Sequence, residues 1–352
     1  MAMISSTSAA KRTKLAAETG DGDLTERLIL VGVAEFLDVD VAVVGLGLIG
    51  GSLLRALAAA GHRVTGFDAD AGTREAAARA GFTVPGSLPD AVAGAELVVL
   101  AVPLPGLPSV LDELAGFGGL ITDVTSVKRP VRDLAAKHGL RRFVGGHPMA
   151  GKETSGFAAA DPGLFEGCAW VLCLEPDETG LTDWLALAAL YTALGARVVP
   201  ATADQHDRAV AEISHVPHLF AAALAGQLAG DPLAGTLAAG SFRDGTRVAA
   251  TRAELIVAMC GGNAAEVSNA LRRLIDDLER MRVAVETDPV WSLTPLVAAA
   301  GDLRRNWPAA PGPATDLPAG AAELLALGRD GGWVTGVAAD RSTVLALRPE
   351  AR

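Results

Sequence analysis

The sequence is poor in cysteine and in aromatic residues. Its three cysteines, Cys168, Cys173 and Cys260, cannot all pair within one chain, and no two of them form a CxxC motif. A disulfide scaffold and a zinc ribbon are therefore excluded. Aromatic residues make up 4% of a chain that is 50% hydrophobic, so alanine, valine and leucine supply the apolar bulk.

Basic residues are outnumbered, and no long apolar run is present. With 30 Lys and Arg against 41 Asp and Glu, the net charge of −11 disfavours nucleic acid and anionic membranes as partners. The most apolar segment, residues 28–54, is interrupted by Glu35, Asp38 and Asp40, so we predict no membrane span. The N-terminus lacks the apolar core and cleavage site of a secretory signal, which favours the cytoplasm.

The 352 residues predict two domains. Residues 1–39 look like a flexible extension, and residues 40–201 alternate short apolar strands with helices. This alternation predicts an α/β domain with a Rossmann-type doubly wound parallel sheet. Residues 202–288 are helical in pattern and predict an all-α domain. Residues 289–352 form a C-terminal extension of unknown role, with a proline-rich linker at 306–318 and two strand-like pieces near Val334 and Leu345.

A glycine-rich turn marks a nucleotide site. The apolar strand 41–44 is followed by GLGLIG, whose glycines are Gly45, Gly47 and Gly50, and then by a helix. In this context the G-x-G-x-x-G pattern brings a pyrophosphate to a helix N-terminus. Asp68 ends the second strand and is placed to accept hydrogen bonds from ribose hydroxyls. Asp70 follows and no arginine comes directly after Asp68, so NAD is favoured over NADP. The alternative is a glycine-rich turn with an incidental aspartate.

His147 is the candidate proton acceptor. It lies in GGHPMAG, just after the strand Phe143–Val144, and ligands of open α/β sheets bind beyond the carboxyl ends of strands. An imidazole suits proton transfer near neutral pH. The alternative is a loop histidine that caps a turn.

The segment DVTSVK follows another strand end. Ser126 is placed to orient His147 or a substrate hydroxyl, whereas Asp123 or Thr125 could simply cap the next helix. Lys128 faces either phosphate or solvent in this interpretation.

The predicted all-α domain, residues 202–288, contributes two further motifs. In SHVPH, His215 and His218 have the spacing of metal ligands, but no carboxylate or HExxH pattern supports a metal, so we predict none. A substrate contact or a packing role is favoured instead. In SFRDGTR, Arg243 and Arg247 suit carboxylate binding. The competing interpretation is a salt bridge with Asp244 or Glu254.

Together these motifs resemble the prephenate dehydrogenase family. The resemblance covers residues 41–280 and depends on an ordered series: VVGLGLIGGSL, the Asp68 strand end, LAVPL, TDVTSVK, GGHPMAGKE, SHVPH and SFRDGTRVA. The forms VPLPGLP and AAGSFRDGTRVAAT are similar to the actinobacterial branch. One departure is Leu255–Ile256, where many members have Leu-Trp.

The resemblance implies roles for individual residues. His147 would accept the proton of the ring hydroxyl of prephenate, and Ser126 would support both that histidine and the hydroxyl. Arg247 would bind a substrate carboxylate, with Glu153 and His218 nearby. The implied NAD site comprises Gly45, Gly47, Leu48, Ile49, Gly50, Asp68, Val102 and Pro103. The helical domain would also be the interface of a homodimer.

The implied reaction is NAD-dependent oxidative decarboxylation of prephenate to 4-hydroxyphenylpyruvate, in tyrosine biosynthesis. Arogenate or 4-amino-4-deoxyprephenate is an alternative substrate. A β-hydroxyacid dehydrogenase is a more distant alternative, but it would need a lysine in the helical domain, and no lysine follows Lys152. A non-catalytic NAD sensor is disfavoured because His147, Ser126 and Arg247 are all present.

Overall fold

A five-stranded parallel sheet forms the first half of the molecule. The computed structural model describes residues 39–350, so the extension predicted for residues 1–39 lies almost entirely outside the described residues. The strand order is β2-β1-β3-β4-β5, which confirms the predicted doubly wound sheet. The strands are β1 (Asp40–Val44), β2 (Arg63–Phe67), β3 (Leu97–Leu100), β4 (Leu120–Asp123) and β5 (Phe143–Val144).

Helices connect these parallel strands. Because β1 and β3 are buried along nearly their whole length, their sequences read as apolar runs. Strand β4 is equally buried, although it ends in Thr122 and Asp123. The helices are α1 (Leu48–Ala59), α2 (Ala71–Arg79), α3 (Leu88–Val92), α4 (Leu107–Glu113) and α5 (Arg129–Lys137). The carboxyl ends of β1, β3 and β4 therefore lie at one edge, where the glycine-rich turn and the DVTSVK segment begin.

The chain then enters a second sheet rather than continuing the first. Its order is β6-β7-β8-β10-β11-β9, and only the β7–β8 pair is parallel. Strands β6 (Gly146–Pro148), β7 (Ala169–Cys173) and β8 (Arg197–Ala201) come first, with α6 (Leu181–Ala193) between β7 and β8. The sequence predicted a parallel sheet within residues 40–201, but it did not predict that β6, β7 and β8 belong to a separate sheet.

The C-terminal segment completes this second sheet. Strand β9 (Thr315–Pro318), α14 (Ala321–Arg329), β10 (Trp333–Val337) and β11 (Thr343–Leu347) form a βαββ unit in which β11 lies between β9 and β10. A side chain at Gly328 would lie 1.8 Å from the carbonyl oxygen of Pro200, so α14 packs directly on β8. Residues 315–347 of the predicted C-terminal extension thus belong to the same sheet as β6, β7 and β8, whereas its residues 294–305 are helical, and the predicted linker contains β9.

Residues 203–305 are helical and form the helical half of the molecule. The helices are α7 (Ala203–Val210), α8 (Val216–Ala225), α9 (Pro232–Leu237), α10 (Gly240–Thr246), α11 (Ala253–Gly262), α12 (Ala264–Thr287) and α13 (Thr294–Arg305), with π turns at 211–215 and 289–293. On α12, Val267 and Ala270 are buried, whereas Ile275 and Leu278 are exposed. Within residues 39–350, no helix is long and apolar enough to cross a membrane.

Candidate active site

The glycine-rich turn between β1 and α1 has the close contacts that its glycines predict. Gly45 has φ of +94°, and a Cβ there would lie 2.4 Å from the carbonyl oxygen of Ala101. A Cβ at Gly50 would lie 1.8 Å from the carbonyl oxygen of Gly45, whereas one at Gly47 would meet open space. The backbone is therefore open to a ligand at Gly47, whereas at Gly45 and Gly50 it packs against neighbouring backbone atoms.

The start of α1 can hold an anion. Gly47 precedes the helix, no side chain caps it, and its first turn carries no acidic residue. The free N–H groups and the helix dipole favour a negatively charged group such as a pyrophosphate. Leu48 and Ile49 in this turn are half-buried, as is Val102 after β3, whereas Pro103 is exposed. The glycine-rich turn and the start of α1 thus fit the pyrophosphate of NAD.

Asp68 accepts two backbone hydrogen bonds that the sequence did not predict. Its Oδ2 accepts a hydrogen bond of 2.7 Å from the amide of Leu46, and its Oδ1 accepts one of 2.9 Å from the amide of Asp70. The carboxylate therefore ties the end of β2 to the glycine-rich turn. Close by, Arg74 Nη1 donates to the carbonyl oxygens of Asp68 and Ala69, at 2.7 and 2.9 Å.

We expect the substitution Asp68→Asn to shift cofactor preference toward NADP by about tenfold or more. Asparagine keeps an acceptor for the Leu46 amide but removes the charge that would repel a 2′-phosphate, which leaves the Arg74 guanidinium as a nearby cation. Steady-state kcat/KM with NAD and with NADP measures the ratio. Asp340→Asn, in the turn before β11, removes the same charge elsewhere and should not change it. An unchanged ratio in Asp68→Asn would contradict the assignment.

A buried ion pair lies between the DVTSVK segment and the backbone of Gly146. Lys128 is 1% exposed and Asp123 is fully buried, and their side chains form a salt bridge. Lys128 Nζ also donates to the carbonyl oxygen of Gly146 at 2.6 Å, and Asp123 Oδ1 accepts from the Gly146 amide at 3.1 Å. The interpretation that Lys128 faces phosphate or solvent is wrong, because its ammonium group instead fixes the backbone next to His147.

The cap of α5 comes from the helical half. Asp207, on α7, accepts hydrogen bonds from the backbone amides of Lys128 at 2.8 Å and Arg129 at 2.9 Å. The suggestion that Asp123 or Thr125 caps this helix is therefore wrong. Asn263 in turn donates to the backbone carbonyl of Asp207 at 2.6 Å. These contacts bind the two halves together at the DVTSVK segment.

His147 lies on β6, half-buried, at this junction. Its Nδ1 is 2.8 Å from Nε2 of His206, a buried residue of α7. Burial lowers the pKa of His147 well below the usual value of 6.5, and electrostatic interactions with His206, Lys128 and His215 act in the same direction. The imidazole is therefore neutral near pH 7 and able to accept a proton.

Three of the other predicted substrate residues, Arg247, Glu153 and His218, lie close to one another. Arg247 forms an exposed ion pair with Glu153, whose oxygen is 3.8 Å from the guanidinium, and not with Asp244 or Glu254. His218 Nδ1 donates to the carbonyl oxygen of Val248 at 3.2 Å, which places it beside Arg247. Ser126 is half-buried, and within residues 39–350 its hydroxyl has no hydrogen-bond partner.

His215, the other histidine of SHVPH, is buried rather than presented to a ligand. Its Nδ1 lies 3.3 Å from the amide nitrogen of Asn263, and burial lowers its pKa to about 4. Within residues 39–350, no group of His, Cys, Asp and Glu side chains could hold a metal ion. The packing interpretation of His215 therefore fits the structure.

Sequence reasoning missed His206, Asp207 and Asn263. The available signal was the capping box of α7, in which Thr202 and Gln205 bond to each other's backbone and the His-Asp pair follows directly. This signal predicts a helix start, but it does not indicate that the two side chains turn toward β6.

Comparisons with known proteins agree with this geometry. The family model "Prephenate dehydrogenase, nucleotide-binding domain" matches residues 53–200, and "Prephenate dehydrogenase, dimerization domain" matches residues 202–296. The prephenate dehydrogenase of Bacillus subtilis is 33% identical over 285 residues, covering 76% of each chain.

Two solved structures extend the comparison. The prephenate dehydrogenase of Aquifex aeolicus, in complex with hydroxyphenyl propionate and NAD+, has a TM-score of 0.71 and 25% identity, over 76% of this chain and 98% of that one. The arogenate dehydrogenase of Synechocystis has a TM-score of 0.69 and 29% identity, over 76% and 99%. The chain therefore belongs to the prephenate dehydrogenase family.

Proposed function

We propose that this protein is an NAD-dependent prephenate dehydrogenase, which converts prephenate to 4-hydroxyphenylpyruvate and CO2 in tyrosine biosynthesis. The observation that carries the proposal is His147, a neutral and half-buried imidazole on the strand that follows β5, in a chain that matches both domains of the family. The glycine-rich turn, the free start of α1 and Asp68 support NAD as the cofactor.

His147 is the proposed general base. NAD+, when bound, supplies the acceptor for the hydride of the ring carbon that carries the hydroxyl group. His147 takes the hydroxyl proton as that carbon becomes a carbonyl. Loss of the ring carboxylate as CO2 returns its electron pair to the ring, and the oxygen regains a proton to give the phenol. The gain of aromaticity makes the step irreversible.

Arg247 and its neighbours are the proposed substrate contacts. The guanidinium of Arg247 is largely exposed and forms a long ion pair of 3.8 Å with Glu153, so it can exchange that partner for a carboxylate of the substrate. His218 lies beside Arg247 through its hydrogen bond to Val248, and the half-buried Ser126 has no hydrogen-bond partner within residues 39–350. The lysine that a β-hydroxyacid dehydrogenase requires is absent from the helical half, and Lys128 is fully engaged in its own buried network.

We also propose that the protein forms a homodimer through its helical half. Large apolar side chains are exposed there, including Val257 at 70% and Trp291 at 81%. Exposed apolar surface of this kind marks an interface, and the matching family model is a dimerization domain. The three unpaired cysteines fit a reducing compartment such as the cytoplasm.

The decisive experiment is a steady-state assay of the purified protein with prephenate and with arogenate, each with NAD and with NADP. We expect the highest kcat/KM with prephenate and NAD, together with formation of 4-hydroxyphenylpyruvate. An efficiency with arogenate far above that with prephenate would overturn the substrate assignment. Absence of NADH formation with either compound would overturn the proposed activity.

A further inference from the structure

Three side chains form a hydrogen-bonded series that begins at His147. His147 Nδ1 lies 2.8 Å from His206 Nε2, and His206 Nδ1 lies 2.8 Å from Asp207 Oδ1. His206 and Asp207 are buried, at 3% and 0% exposure, while His147 is the outermost member. The series therefore runs from the interior of the helical half to the candidate active site.

Asp207 can act only as an acceptor in this series. Besides His206, its two carboxylate oxygens accept from the backbone amides of Lys128 and Arg129. Burial alone would raise the pKa of Asp207, but the hydrogen bonds from His206 and from these two amides hold it below its usual value. An ionised carboxylate has no proton to donate, so the proton between Asp207 and His206 is on His206 Nδ1.

The direction of the remaining hydrogen bond follows. Burial keeps His206 in its neutral form by lowering its pKa, and a neutral imidazole carries a single proton. With that proton on Nδ1, Nε2 of His206 must accept, so His147 Nδ1 must donate. Since His147 is neutral too, its Nε2 is left with a free lone pair.

The free nitrogen is the accessible one. Within residues 39–350, Nε2 of His147 has no hydrogen-bond partner, and it is not among the buried polar atoms that lack one. It therefore reaches solvent at the site where substrate is proposed to bind. A general base needs an unprotonated nitrogen there, and the opposite tautomer would present an N–H group instead.

We infer that His206 is a positioning residue, which together with Asp207 fixes the tautomer of His147 so that Nε2 is free to accept the substrate proton. This inference rests on the proposed function for its catalytic meaning but not for its structural content. In this inference the helical half contributes to catalysis, because His206 on α7 orients His147 on β6.

Nitrogen NMR of histidine side chains tests the inference directly. The chain has six histidines, so protein labelled with 15N-histidine gives a small set of two-bond 1H–15N patterns, and His147→Asn identifies the signals of His147. At pH 7.5, without substrate, we expect His147 and His206 both to carry the proton on Nδ1. A His147 protonated at Nε2 in the wild-type protein would overturn the inference.

The variant His206→Phe removes the acceptor while keeping a planar ring. We expect His147 to shift toward the Nε2-protonated form. We expect kcat to fall by about 10- to 1,000-fold, because loss of the correct tautomer in a serine protease triad costs about 10⁴-fold. The Kd of NAD should change less than about twofold. His215→Phe removes another buried histidine of the helical half and should leave the His147 tautomer unchanged.

Two results separate this inference from the proposed function. An unchanged His147 tautomer and kcat in His206→Phe would overturn the positioning role even if prephenate is the substrate. Conversely, the tautomer is measured without substrate, so the expected NMR pattern would stand in a protein that proved inactive on prephenate. If His206→Phe does not fold, the wild-type spectrum alone decides.

Discussion

Replacing His147 with asparagine is expected to lower kcat by at least about 100-fold while leaving NAD binding intact. A positioned general base contributes about 10²- to 10⁴-fold to a rate. Asparagine places its amide nitrogen near the position of Nδ1, so it can still donate to His206 Nε2 and preserve the local packing. It has no group at the position of Nε2, where the substrate proton would be taken. The substitution thus removes the base and little else.

Steady-state kinetics and fluorescence titration with NAD measure the two quantities separately. His138→Asn, at the end of α5, makes the same substitution at a site away from the proposed chemistry and should retain wild-type kcat. If His147→Asn kept more than about a tenth of the wild-type kcat, His147 would not be the base.

The pH profile of the wild-type enzyme gives an independent check on His147. Burial lowers the pKa of His147, with His206, Lys128 and His215 adding to the shift, so the base stays unprotonated to a lower pH than an ordinary histidine. Activity should therefore be retained as pH falls through 6.5 and decline only below it. An acid limb of kcat/KM at or above pH 6.5 would contradict this environment.

The nucleotide half was predictable where the signal is local. Strands β1 and β3 are buried on both faces and read as short apolar runs, and the turn at Gly45–Gly50 carries its own backbone requirement. The second sheet gave no such signal, because the pairing of β8 with β10 joins residues 198 and 334. Spacing within a short window cannot reveal a partner that far along the chain.

The candidate site likewise contains residues that the local sequence predicted and residues that it did not. His147 and Ser126 follow strand ends, and the topology of a parallel sheet brings such segments to one edge. His206 and Asp207 are 59 and 60 residues beyond His147 and begin a helix, where a His-Asp pair has an ordinary local explanation. Lys128 was misplaced because most lysines are exposed, and its burial is explained by its partners Asp123, Thr125 and Gly146.

The burial of Lys128 predicts a large loss of stability when its charge is removed. We expect Lys128→Met to lower the free energy of unfolding by about 3–5 kcal/mol, the range for breaking a buried ion pair by removing one partner. Methionine fills much of the volume, but it leaves the buried carboxylate of Asp123 without its cation and the carbonyl oxygen of Gly146 without its donor. Because Gly146 precedes His147, activity should fall as well.

Chemical denaturation measures this loss, and the chain offers a matched control. Lys137→Met makes the same change at the exposed end of α5 and should alter stability by no more than about 0.5 kcal/mol. Adding Asp123→Asn to Lys128→Met should restore part of the loss, since asparagine carries no charge yet can still accept from the Gly146 amide.

If Lys128→Met were as stable as Lys137→Met, the pair would contribute nothing to the fold. If the double variant were less stable than the single one, the unpaired charge would not be the cause. Partial rescue would instead show that the cost comes from the unpaired carboxylate, and that the backbone under His147 depends on a charge balance inside the first half of the molecule.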